Sequence, residues 1–169
     1  MRAAETKILD RAALKKESAR LRAQGRKLVF TNGCFDLLHA GHATYLAFAR
    51  SQGDALVIGL NSDASVRRSK GPERPVVPER ERALLLAALE CVDYVTIFDE
   101  DEPTALIREA DPAVLVKGED WAHYVSGREW VESRGGRVAL APLVKGLSTS
   151  RLIEKIRAAY GAKPCPKSS

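Results

Sequence analysis

Five short apolar runs, KLVFT, ALVIGLN, DYVTIF, AVLVKG and RVALAP, recur along the chain, each followed by a polar turn and a helix-like segment. The first four are nearly continuous hydrophobe, without the in/out alternation of a half-solvated strand. Strands of this kind bury both faces, which calls for a parallel sheet covered by helices on both sides. Right-handed crossovers then give an α/β, Rossmann-like, doubly wound five-stranded parallel sheet. Residues 10–24, DRAALKKESARLRAQ, read as an amphipathic helix capped by Asp10, with Leu14 and Leu21 on its apolar face and Gly25 ending it. ATYLAFARSQG, ERERALLLAALEC, Glu102 to Ala110 (with Pro103 in its first turn), a short piece near GREWVESRG and the closing STSRLIEKIRAAY supply the other helices. SDASVRRSKGPERPVVP is polar, basic and proline-rich, and reads as a loop with one helical turn.

Residues 1–160 are expected to form one domain, with 161–169 a disordered tail. In such sheets ligands bind beyond the carboxyl ends of the strands, at the point where the strand order reverses. With strand order 3-2-1-4-5 that point lies between the first and fourth strands. The loops TNGCFDLLHAGH and KGEDW then meet at one crevice.

Composition removes several classes of function. No run approaches the roughly 20 apolar residues of a membrane helix, and the N-terminus MRAAETKILDRAALKK lacks a signal peptide's apolar core. Cys34, Cys91 and Cys165 follow no metal-ligand spacing, and read as reduced thiols in a cytoplasmic protein. The net charge of +5 arises from cations scattered among acids, so it suggests a solvated surface and a small polyanionic ligand more than a nucleic-acid partner.

The chemistry concentrates in TNGCFDLLHAGH. Gly33 permits a sharp exit from the first strand, and Gly41 bares the backbone where a helix begins, so N–H groups can face an anion. His39 and His42 flank that point and can donate hydrogen bonds to a phosphate that gains charge in a reaction. The competing reading is that the histidines satisfy buried backbone groups. Zinc held by His39, His42 and Asp36 is disfavoured because no second ligand pair appears. The phosphate-binding glycine patterns GxxxxGK[ST] and GxGxxG are absent. Gly146, Ser148 and Thr149 precede the last apolar-periodic helix, where either hydroxyl can cap it and the free N–H groups can meet phosphate.

GCFDLLHAGH resembles the signature of the HxGH nucleotidyltransferases, the cytidylyltransferase-like superfamily. NSDASVRRSKGPERPVVP, RALLLAALECVDYV, FDEDEPTALI, VLVKGEDW and GGRVALAPLVKGLSTSRLIEKI continue the likeness, in order, to its D-glycero-β-D-manno-heptose 1-phosphate adenylyltransferase branch, from about residue 7 to residue 158. The resemblance implies transfer of AMP from ATP to that heptose phosphate, with Mg2+, giving ADP-heptose and pyrophosphate for lipopolysaccharide core synthesis. It implies that His39 and His42 stabilise the α-phosphate, with Lys70, Ser148 and Thr149 on the remaining phosphates and Ser150 beside them. Asn32, Gly33, Cys34, Phe35, Gly41, Lys117, Gly118 and Asp120 would hold the nucleotide. Asn61, Asp63 and Arg82 would approach the sugar phosphate, Arg82 being equally readable as a solvated helix arginine. Asp36 would brace the loop or reach Mg2+, and no protein side chain is assigned as a firm metal ligand.

GLSTS departs from the more usual STT. Trp121 resembles the loop of the glycerol-3-phosphate cytidylyltransferases, which carry arginine where this chain has Leu143. A CTP-dependent cytidylyltransferase and a non-catalytic nucleotide-binding module are therefore the alternatives. A homodimer is expected, and the sugar kinase and phosphatase that supply the acceptor are expected on separate chains.

Overall fold

The computed structural model describes residues 2–144 and 146–161; the expected tail falls largely on residues 162–169, outside the described residues, as does Cys165. The five strands form as the apolar runs require: β1 (Leu28–Gly33), β2 (Ala55–Asn61), β3 (Tyr94–Phe98), β4 (Val114–Gly118) and β5 (Arg137–Ala141). All pair in parallel, in the order β3-β2-β1-β4-β5. Among the described residues, seven α-helices connect and cover them: α1 (Arg11–Ala23), α2 (Ala40–Ser51), α3 (Asp63–Lys70), α4 (Glu79–Ala88), α5 (Thr104–Ala110), α6 (Arg128–Ser133) and α7 (Thr149–Tyr160). This is the doubly wound, Rossmann-like sheet that the pattern of runs requires.

The continuous hydrophobicity of the strands has a direct cause. Neighbouring residues point to opposite faces, and each face has its own core. Val29, Leu56, Ile58, Val114 and Val116 pack with Leu46 of α2 and Leu86 of α4. Phe30, Val57 and Leu115 pack with Leu14 and Leu21 of α1 and Leu106 and Ile107 of α5. Each such aliphatic or aromatic side chain contributes about 1.5–3 kcal/mol on burial. The Asp10 carboxylate accepts from the Ala13 N–H at 2.7 Å, so the α1 cap is the one the sequence suggests.

Three features differ from the sequence reading. Residues 63–70 form an eight-residue helix, α3, where a loop with a single turn is expected. The Ser62 hydroxyl caps it by accepting from the Ser65 N–H at 3.0 Å. Its narrow buried face, Ser65 and Val66, is too small to register as an apolar period. α2 starts at Ala40, so Gly41 and His42 lie inside its first turn instead of ahead of it. The N-terminal residues also have a role the sequence does not advertise. Ile8 bridges Val95, the Leu9 N–H donates to the Val95 carbonyl at 2.9 Å, and Lys7 Nζ donates to the Val92 carbonyl at 2.8 Å. They cover the β3 edge, where unpaired backbone would otherwise invite another chain.

Candidate active site

The sheet opens where its order reverses. β1 keeps six paired positions with β2 but only two with β4, Val29↔Val114 and Phe30↔Leu115. Beyond Phe30 and Leu115 the two strands diverge, and the loops that follow them line the crevice between.

On the β1 side, the chain leaves Gly33 through Phe35 at φ 43°, an unusual left-handed position for a non-glycine residue. This turn folds the Phe35 ring under Gly33 and brings it to 5.3 Å from the His42 ring. His39 occupies the N-cap of α2 in extended conformation and lends it no side-chain hydrogen bond. Instead its ring stacks on His42, with centroids 3.9 Å apart and planes 20° from parallel. The Nδ1 atoms of both rings are buried and find no partner among the described residues. The idea that these histidines merely satisfy buried backbone groups therefore fails for both Nδ1 atoms. Burial, and then His39, pull His42 down to about 4, and burial also lowers His39. Both imidazoles are neutral at pH 7, and an arriving phosphate would draw protons onto them.

A stability test follows. The folded His42 value lies below its ordinary 6.5, so between those two values the unfolded chain binds more protons than the native one. Stability should be full above pH 6.5 and fall as the pH drops toward 4. Thermal unfolding between pH 7.5 and 4.5 should show this slope, and the His42→Gln variant should show a shallower one.

Gly41 leaves room for the stack. A Cβ there would sit 3.0 Å from Cε1 and Nδ1 of His39 and 3.3 Å from the Leu147 Cβ. The same contact shows that Leu147, two residues ahead of α7, lies against the start of α2. Ser148 caps α7, its Oγ accepting from the Arg151 N–H at 3.2 Å, and Thr149 and Ser150 open the helix. Two helix N-termini thus meet beside the imidazole pair. Gly41→Ala should lower kcat roughly 10–100-fold by displacing His39, with little change in unfolding midpoint. A fully active variant would show that the stack is dispensable.

The floor of the crevice is polar. Lys117 Nζ donates to Asn32 Oδ1 at 2.6 Å, and burial draws the amine down to about 8 against the pull of Asp120. A Cβ on Gly118 would fall 2.4 Å from Asp120 Oδ1, so glycine there lets the carboxylate lie back over the strand end. The Leu143 N–H donates to Glu119 Oε1 at 3.0 Å, and the Leu143 side chain is exposed.

The remaining candidates brace the site. Asp36 is buried, and both its oxygens are engaged: Arg74 Nε donates at 2.6 Å and the N–H groups of Val76 and Val77 at 2.9 Å. Arg82 is fully buried and donates to the carbonyls of Val77 at 2.8 Å and Cys34 at 2.5 Å, and to Asp63 Oδ1 at 2.8 Å. The solvated-arginine reading of Arg82 is corrected by that burial. Asn61 donates to the Ser65 hydroxyl at 3.0 Å. Lys70 ends α3, exposed, close enough for its charge to act on the Cys34 thiol, which burial pushes up. Among the described residues no group of three or more His, Cys, Asp or Glu side chains is arranged to hold a metal. That agrees with Asp36 being committed to Arg74 and the loop.

The model of the cytidylyltransferase-like family matches residues 30–155, which includes the site residues from Asn32 to Ser150. The chain belongs to the cytidylyltransferase-like family. Among curated relatives, the bifunctional protein HldE of Trichlorobacter lovleyi is 55% identical over 160 residues, 94% of this chain and 33% of that protein. The bifunctional protein HldE of Geobacter metallireducens is 61% identical over 141 residues, 83% of this chain and 29% of that one. The chain thus spans about a third of the length of these relatives. A solved lipopolysaccharide core biosynthesis protein from Thermoplasma volcanium superposes with a TM-score of 0.59 at 28% identity, covering 72% of this chain and 98% of that one. A pantoate-β-alanine ligase from Francisella tularensis reaches the same TM-score, 0.59, at 15% identity, and shares the fold alone.

Within this candidate site, sequence reasoning missed Arg74 and Tyr45. Arg74 looks like any cation in a polar loop. Tyr45 lies three residues after His42, on the same helix face, and its hydroxyl contacts Thr31 and Val116. That spacing was the only available clue.

Proposed function

We propose that this chain is a nucleotidyltransferase that moves AMP from ATP to D-glycero-β-D-manno-heptose 1-phosphate, releasing pyrophosphate and giving ADP-heptose for lipopolysaccharide core synthesis. The observation that carries the proposal is the stacked His39–His42 pair at the start of α2, with two buried ring nitrogens that find no partner among the described residues. Such a site suits a phosphate that gains charge, because preorganised donors in a partly dry pocket act most strongly where charge develops. The likeness to proteins called HldE and to a lipopolysaccharide core biosynthesis protein supports the choice of acceptor.

In this reading a phosphate oxygen of the sugar phosphate, already anionic, attacks the α-phosphorus of ATP. The new O–P bond forms as the bond to the β-phosphate oxygen breaks, and pyrophosphate leaves with the electron pair. No strong general base is needed, so positioning and electrostatics carry the catalysis. His39 and His42 hold the α-phosphate. Lys70, the Ser148 and Thr149 hydroxyls and the α7 N-terminus take the leaving phosphates. Asn32, Gly33, Lys117, Gly118 and Asp120 face the nucleoside, and Asn61, Asp63 and Arg82 shape the acceptor side. Mg2+, carried by the triphosphate, would neutralise charge on the leaving group.

No helix among the described residues is long and apolar enough to cross a membrane, and the reading places the protein in the cytoplasm. It also includes a homodimer, which sedimentation velocity tests.

The deciding experiment measures pyrophosphate release with Mg2+, crossing ATP and CTP against the heptose 1-phosphate and glycerol 3-phosphate. Turnover with ATP and the heptose phosphate alone is expected. Turnover with CTP and glycerol 3-phosphate would replace this reading with the cytidylyltransferase one. Silence in all four, from folded protein that binds nucleotide, would leave a binding module.

A further inference from the structure

The diverging ends of β1 and β4 are not simply apart. Their backbone pairing stops at Phe30↔Leu115. At the next register position, Thr31 opposite Val116, a side chain from a third element spans the gap. The Tyr45 hydroxyl of α2 lies 2.6 Å from Thr31 Oγ1 and donates to the Val116 carbonyl at 3.1 Å. One position further, Lys117 Nζ donates to Asn32 Oδ1 at 2.6 Å. Side-chain struts therefore replace backbone rungs at two consecutive positions, where the crevice begins to open.

Thr31 is fully buried, and burial pushes the Tyr45 phenol up to about 12, so its proton stays in place at any ordinary pH. A phenol that donates to Val116 must accept from Thr31. The bridge thus has a fixed sense and a fixed length. Tyr45 also rides on the helix that carries His42, one turn along. The spacing of the two strands is thereby tied to the position of the imidazole pair.

We propose that Tyr45 is a positioning residue that sets the width of the β1/β4 cleft, and so determines which nucleoside fits beside the histidine pair. The inference rests on the reading that this crevice holds a nucleotide. With the hydroxyl gone, the Thr31 hydroxyl and the Val116 carbonyl lose their partner and β1 and β4 are free to draw together. A purine, being larger, then loses more than a pyrimidine.

The test uses Tyr45→Phe, which removes one oxygen and keeps the ring packed against the core. Titration calorimetry gives Kd for ATP and for CTP, and scanning calorimetry without nucleotide gives Tm. The ATP Kd should rise roughly tenfold, the order expected when a buried polar pair loses its partner. The CTP Kd should change less, so the ratio of the two Kd values moves toward pyrimidine. Thr31→Val, which leaves the Tyr45–Val116 bond, should shift the ratio the same way by less. A lower Tm with both Kd values unchanged would overturn the proposal, because the hydroxyl would then be a stabilising strut alone. A shifted Kd ratio in a protein that never uses the heptose phosphate would keep the cleft role and overturn the proposed acceptor. Wild-type protein that binds neither nucleotide would overturn both.

Discussion

His42→Ala should lower kcat by roughly 10²–10³, the scale of losing one preorganised donor at a developing charge, while the far-ultraviolet spectrum and unfolding midpoint stay near those of the parent. His42 is where several constraints converge. Its ring is held between His39 and Phe35, its Nδ1 has no protein partner among the described residues, and burial keeps it neutral at pH 7. A group so placed does little for the fold that another apolar side chain could not do. Its cost to the protein is an unmet hydrogen bond at that buried nitrogen. His39→Ala should fall in the same range, and the double variant should lose less than the product of the two, because both rings serve one phosphate. A His42→Ala enzyme within a few-fold of the parent would remove the phosphate role.

Arg82→Met carries the largest expected effect on stability, a loss of about 3 kcal/mol or more on urea unfolding, as for a buried ion pair stripped of one partner. The guanidinium joins three separate segments: the turn after β1 through Cys34, the loop before α4 through Val77, and the start of α3 through Asp63. Methionine replaces the aliphatic stem but leaves two carbonyls and a carboxylate unpaired. Because the Cys34 turn leads into the histidine loop, activity should fall as well. Lys70→Ala offers the contrast. Lys70 is exposed at the end of α3, so its loss should leave the unfolding curve unchanged and reduce turnover alone. If Arg82→Met unfolded like the parent, the buried network would be incidental to the fold.

Arg82 also shows where reading the sequence stops. In ERERALLL its neighbours Arg80 and Glu81 are exposed and Glu79 is half-buried, and nothing local marks Arg82 as different. It differs because α4 turns that one position toward residues 48 and 19 places earlier in the chain. Asp36 is similar: a carboxylate in a histidine-rich loop invites a metal, yet Arg74, Val76 and Val77, 38 to 41 residues later, claim both oxygens. α3 was hidden for the opposite reason, since a helix that buries only Ser65 and Val66 looks like a polar loop.

The sequence by itself determined the strands, the α1 cap and the loop that holds the histidine pair. These depend on periodicity, capping and glycine placement, all legible within a few residues. Only the tertiary structure decided that the two rings stack, that Arg82 and Asp36 brace the loops, and that Tyr45 and Lys117 strut the cleft. The Lys117–Asn32 bond joins residues 85 positions apart. Contacts of that span exist only after the crossovers have set β4 beside β1, and no local pattern encodes them.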